Sequence, residues 1–209
     1  MKKILRYVAW GMMTIGVTGI LYSGYIVTHQ GEFSRKAQLA SLLSSSDVQV
    51  SFEKPTKFSE CQTRNSLPDP ACTPGAIFEG ATREIVCVPG YSKTVRNVSL
   101  TTRKKVYIMY GVDYPPSFGS YELDHFVALS LGGNNEIANL FPLAAEPFPG
   151  FKEKNIVVNY LREEVCAGNI VLSAAQEKIA EDWTLIYNNL DPRRIEELDK
   201  KYPSWANRK

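Results

Sequence analysis

Residues 121–143 read YELDHFVALSLGGNNEIANLFPL, and their interpretation decides the fold. The stretch holds His125, one of only two histidines in the chain, directly after Asp124. Gly132, Gly133, Asn134 and Asn135 mark a loop, and Asn139 stands fourteen positions beyond the histidine. YELDHF predicts a strand and NLFPL a second, shorter one, with turn residues between them. In the following FKEKNIVVNYLREEVCAG, the apolar positions 156, 157, 160, 161 and 165 have helical spacing, and Gly168 supplies a stop. The local order is therefore strand, glycine loop, strand, helix.

The polar residues on this frame carry chemical potential. A neutral imidazole titrates near pH 6.5 and is suited to taking a proton from water. A carboxylate and an amide oxygen are hard ligands suited to Mg²⁺, Ca²⁺ or Mn²⁺. His125 thus supplies a general base, and Asp124 with Asn139 half of a metal site, which together are the minimum for hydrolysing a phosphodiester. Neighbours on a regular strand point to opposite faces, so Asp124 and His125 can share one site only if the strand ends, twists or bulges there.

LDHFVALSLGGNNEIANLFPL resembles the HNH, or His-Me finger (ββα-metal), nuclease motif: Asp-His, a few apolar residues, Gly-Gly with asparagines, then Asn-Leu. PACTPGA, GYSKTVRNV and VCAGNIVLSAAQEKIAEDW resemble an exported bacterial subgroup of HNH-like proteins, and the likeness covers roughly residues 69–187. The resemblance implies an α+β fold around a ββα-metal core with additional helices. It implies His125 as general base and Asp124 as metal ligand. Asn139 matches the central asparagine, which binds the metal in some members and orients the histidine-bearing loop in others. The third motif position falls on the following helix, where this chain has no histidine. Asn155 or Asn159 takes that place, with Glu153 the acidic alternative, and Ala128 stands where proline is usual. The implied cofactor is a divalent cation, Mg²⁺ before Mn²⁺ or Ca²⁺. The implied partner is nucleic acid, DNA before RNA.

A substrate surface is suggested by SKTVRNVSLTTRKK. Lys93, Arg96, Arg103, Lys104 and Lys105 place five positive charges in thirteen residues with no acid among them. Such a patch can contact phosphates, though it serves equally as a solvated face. The chain as a whole does not announce a polyanion binder. Its formal charge is +2, from 24 basic and 22 acidic residues. Lys2, Lys3 and Arg6 account for more than that excess, so the remainder is close to neutral.

The 209 residues, 44% apolar, suit one domain with a sizeable core. After Lys2, Lys3 and Arg6, an uncharged run from Tyr7 to Thr28 is longer than a signal-peptide core of about 7 to 15 residues and close to the roughly 20 that span a bilayer. Residues 1–30 are expected to be a signal anchor or a cleaved signal peptide, leaving the rest exported: anchored in a bacterial inner membrane facing the periplasm, or secreted. Residues 31–58 read as a tether, 59–190 as the nuclease-like domain and 191–209 as a polar tail. Cys61, Cys72, Cys87 and Cys166 form an even set, consistent with two disulfides after export, and Cys61 or Cys87 is the expected partner of Cys72.

Elsewhere REIVCV predicts a strand, and NVSLTTRKKVYIMYGV a helix from Thr101 or Thr102 to Gly111. Ser173 and Gln176 form a candidate capping box for a helix with Ile179, Trp183, Ile186, Tyr187 and Leu190 on its core face, stopped by Pro192. The functional expectation is an exported, metal-dependent endonuclease, with a dedicated inhibitor protein if it is a toxin. The alternative is a catalytically silent exported binding or assembly module on the same scaffold.

Overall fold

The structure, a computed structural model, describes residues 31, 34–43 and 52–204. Among these, α1 (residues 34–43) is followed by α2 (Arg83–Val86), α3 (Tyr91–Val95), α4 (Leu100–Met109), β1 (Tyr121–His125), β2 (Leu140–Ala144), α5 (Phe151–Ala167), α6 (Leu172–Asn189) and α7 (Pro192–Lys201). The class is α+β, with one small two-stranded sheet and several helices.

β1 and β2 are antiparallel, in a register that pairs Tyr121 with Ala144, Asp124 with Phe141 and His125 with Leu140. They are joined by two short 3-10 turns, Leu129–Leu131 and Ile137–Asn139, on either side of the glycine pair. Four consecutive residues of β2, Leu140 to Leu143, are buried, so this strand is covered on both faces and reads as a solid apolar run. α5 lays Phe151, Val157, Leu161 and Val165 against the hairpin, and α6 packs on α5 through a core containing Ile179, Trp183 and Ile186. Large apolar side chains removed from water at these positions supply most of the favourable folding energy.

Three local expectations are revised and the Cys72 pairing is narrowed to one of its two candidates. REIVCV is not a strand: residues 83–86 make one helical turn and Cys87 caps it. The β-branched composition was real, but tertiary packing decided the outcome: Val86 is fully buried and Arg83 donates to the Cys166 carbonyl at 2.9 Å. Of the two partners considered for Cys72, Cys61 is the one bonded, and Cys87 pairs with Cys166 at the far end of α5. The capping box at Ser173 does not form. Val171 is the N-cap of α6, and the Gln176 side chain turns inward to donate to Leu131 O at 2.8 Å. α4 begins earlier than expected, at Leu100, because the Ser99 hydroxyl accepts from Thr102 N–H.

Pro192 does end α6, but it also opens α7 behind an Asp191 cap, a favoured place for proline at the first helical turn. This final segment is more than a polar tail. Leu198 is buried, and Glu163 of α5 gathers Arg194, Lys201 and Tyr202. In the segment read as a tether, Leu39 and Leu43 of α1 pack against the core. No helix among the described residues is long and apolar enough to cross a membrane, and the expected anchor at residues 7–28 lies outside them.

Candidate active-site cleft

Asn139 organises the site from within. Its side chain is fully buried. Oδ1 accepts from Val127 N–H at 2.8 Å and Ala76 N–H at 3.4 Å, while Nδ2 donates to Val127 O and Asn134 O, each at 2.9 Å. Backbone donors and acceptors are unambiguous, so the amide orientation is fixed. Gly133 is required beside it, because a Cβ there would lie 1.8 Å from Val127 O. All of the amide's bonding capacity is spent on backbone. With its oxygen occupied in this way Asn139 offers the cleft no free ligand atom; it ties the loop that leaves β1 to residues 76, 127 and 134.

His125 is the last residue of β1, and the strand's end resolves the problem of opposite faces. Asp124 and His125 line the same cleft of about 630 Å³, together with Lys93, Arg96, Asn155 and Arg162. Glu122 also lines it and accepts a long hydrogen bond, 3.5 Å, from Asn155 Nδ2. A larger cavity of about 960 Å³, between residues 75–84 and the start of α6, contains neither His125 nor Asp124.

The histidine is 4% exposed, and the cleft walls around it include Leu123, Ala128 and Leu129 as well as polar groups. Its Nε2 lies 3.2 Å from Asn135 Oδ1. Asn135 is itself fixed, since its Nδ2 donates to Val95 O at 2.8 Å and its Oδ1 accepts from Asn97 N–H at 3.1 Å. An oxygen facing Nε2 can only accept, so Nε2 carries the proton and Nδ1 carries the lone pair. Among the described residues, only Asp124 Oδ2 is sealed from solvent without a hydrogen bond. Burial lowers the His125 pKa to about 4; Asp124 and the Asn135 bond oppose the shift, and Arg96 and Lys154 add to it. The ring is neutral at neutral pH.

Lys154 lies beneath the carboxylate. Its Nζ is 2.7 Å from Asp124 Oδ2, an ion pair whose angle falls outside hydrogen-bond geometry, and donates to His125 O at 2.8 Å. One carboxylate oxygen is thus engaged by a fixed cation. Among the described residues no group of three or more His, Cys, Asp or Glu side chains is placed to hold a metal. The donors the cleft does offer are Asp124 and Asn155, with Glu122 beside them. A two-ligand oxygen set completed by water fits Mg²⁺. Glu153 is spent on capping Gly150 N–H at 2.7 Å, and Asn159 donates to Asn155 O.

The basic run divides. Lys93 and Arg96 line the cleft, but Arg103, Lys104 and Lys105 sit on α4 and do not; Lys104 lies over the Tyr114 ring at 5.9 Å. Arg162 and Lys154 were not singled out in the sequence, and Asn135 was read there only as a loop residue. A signal for Lys154 did exist: it falls on the stripe of Val157, Leu161 and Val165, where a charge must find a buried partner. No family model matches the chain, and no curated protein or solved structure matches it.

Proposed function

We propose that this protein is a metal-dependent endonuclease that hydrolyses nucleic-acid phosphodiester bonds with His125 as general base, on a ββα-metal core formed by β1, β2 and α5. The observation that carries this reading is the shared cleft, whose walls bring together a neutral imidazole held at Nε2 by Asn135, the Asp124 carboxylate and the cations Lys93, Arg96 and Arg162. Nδ1 takes a proton from water, the hydroxide attacks phosphorus, and the bond to the 3′ oxygen breaks, leaving a 5′ phosphate. Asp124 and the Asn135 oxygen stabilise the imidazolium that forms. Lys93, Arg96 and Arg162 orient the phosphate. A divalent cation on Asp124 and Asn155 would neutralise charge on the departing oxygen. The contacts are to backbone, so cleavage has little sequence preference, and DNA is preferred to RNA as substrate.

The two disulfides are compatible with an extracellular or periplasmic location. Export through the N-terminal apolar run, retention at a membrane and a partner inhibitor in the toxin case belong to the same proposal. The Lys154–Asp124 pair favours one other reading, a silent binding module, because an internal cation already answers the carboxylate. Incubating the full chain with plasmid and Mg²⁺ or Mn²⁺ separates the two. Metal-dependent nicking that EDTA and His125→Ala abolish supports the enzyme. Equal behaviour of wild type and His125→Ala removes it.

A further inference from the structure

Asn135 joins two parts of the cleft that are distant in sequence. Its carboxamide makes three contacts, to His125 Nε2, to Val95 O and to Asn97 N–H. Val95 and Asn97 flank Arg96, the cleft-lining cation of the segment after α3. Rotating the amide by half a turn would set its NH₂ against the Asn97 N–H and its oxygen against the Val95 carbonyl, so only the observed orientation is tolerated. The same side chain therefore fixes where the imidazole proton sits and where the backbone bearing Arg96 sits.

We propose that Asn135 is a positioning residue that holds His125 in the Nε2–H tautomer and sets Arg96 in register with it, so that base and phosphate-binding cation form one unit. The catalytic significance rests on the nuclease reading; the tautomer and the register do not. Loss of the bracket frees the ring to rotate and lets residues 95–97 drift from the cleft. Two substitutions separate its functions. Asn135→Ala removes all three contacts. Asn135→Asp keeps an acceptor for Nε2–H and for Asn97 N–H but removes the donor to Val95 O.

The test uses the full chain in detergent with its histidine rings labelled with ¹⁵N. The chain has only two histidines, so His29→Gln assigns the His125 signals. The expected spectrum shows protonated Nε2, unprotonated Nδ1 and a slowly exchanging Nε2–H. The slow exchange is kept in Asn135→Asp and lost in Asn135→Ala. Circular dichroism confirms folding of each variant. In parallel, binding of a fluorescent DNA oligonucleotide in EDTA is measured in a cycle of Arg96→Ala with Asn135→Ala, neither of which adds a charge. A coupling of about threefold or more is expected. An Nδ1–H tautomer, a slowly exchanging Nε2–H that survives in folded Asn135→Ala, or independent effects of Arg96 and Asn135 on binding would overturn the proposal. Absence of plasmid nicking with the spectrum as expected would overturn only the nuclease reading.

Discussion

Lys154 Nζ lies 2.7 Å from Asp124 Oδ2, and the same ammonium donates to the carbonyl of His125 at 2.8 Å. A lysine from α5 thus braces both residues at the end of β1. It is 1% exposed, and its side chain runs near the Phe141 ring. Removing one partner of a buried pair strands the other charge, at a cost of roughly 3–5 kcal/mol. Lys154→Met is expected to lower unfolding free energy by about that amount. Lys154→Met with Asp124→Asn should recover part of the loss, because no unpaired charge remains. Urea melts of the four species in a double-mutant cycle check this; simple additivity would show that the pair is not coupled.

His125 makes stability depend on pH. Burial lowers its folded pKa to about 4, against an ordinary value near 6.5. Between these values the unfolded chain binds a proton that the folded chain does not. Stability is therefore greatest above about pH 6.5 and falls as pH drops toward 4, by on the order of 3 kcal/mol from this group. His125→Gln should flatten that part of the curve, measured by melts from pH 4 to 7.5. For catalysis the sign is the same: the acid limb of the rate profile lies near pH 4, below which Nδ1 is protonated and cannot act as base.

The hairpin and α5 were legible because they are carried by local pattern: two apolar runs bounded by glycine and asparagine, then apolar positions at helical spacing stopped by Gly168. His125 and Asp124 lie on that hairpin, and both line one cleft. What sequence spacing does not encode is which side chain the backbone consumes. Asn139 and Asn135 are equivalent as amides, yet the first is buried under four backbone contacts and the second faces the imidazole. Arg162 reaches the cleft only because α5 packs beside α2, and the Cys87–Cys166 bond that helps hold them spans 79 positions. Residues 83–86 were misread because a run as short as REIVCV, with Ile85, Val86 and Val88 its β-branched residues, does not choose between strand and helical turn before its packing partners are known.

Asn139 and Asn155 should separate cleanly by experiment. Asn139→Ala leaves Val127 N–H and two carbonyls buried without partners, at about 1–3 kcal/mol each before relaxation. It is expected to destabilise the fold severely, read by thermal melting. Asn155 is partly exposed, and Asn155→Ala should shift stability by less than about 1 kcal/mol. Only the second change should weaken Mn²⁺ binding per folded molecule, measured by paramagnetic line broadening of cleft resonances. Weakened binding by folded Asn139→Ala alone would return Asn139 to the ligand set.

The two disulfides differ in what they hold. Cys61–Cys72 closes a separation of 11 residues and Cys87–Cys166 one of 79, so loop-closure entropy assigns them about 3 and about 4.5 kcal/mol respectively. The second also ties α2 to the end of α5, beside the Arg83 bond to Cys166 O. Cys87 itself lines the cleft, and the segment after it carries Tyr91, Lys93 and Arg96. Replacing Cys87 and Cys166 by alanine should therefore speed amide hydrogen exchange across residues 88–97 and weaken oligonucleotide binding. Replacing Cys61 and Cys72 should lower the melting temperature but leave exchange in 88–97 and binding close to wild type. Identical exchange in the two variants would mean that this wall of the cleft is held by packing alone.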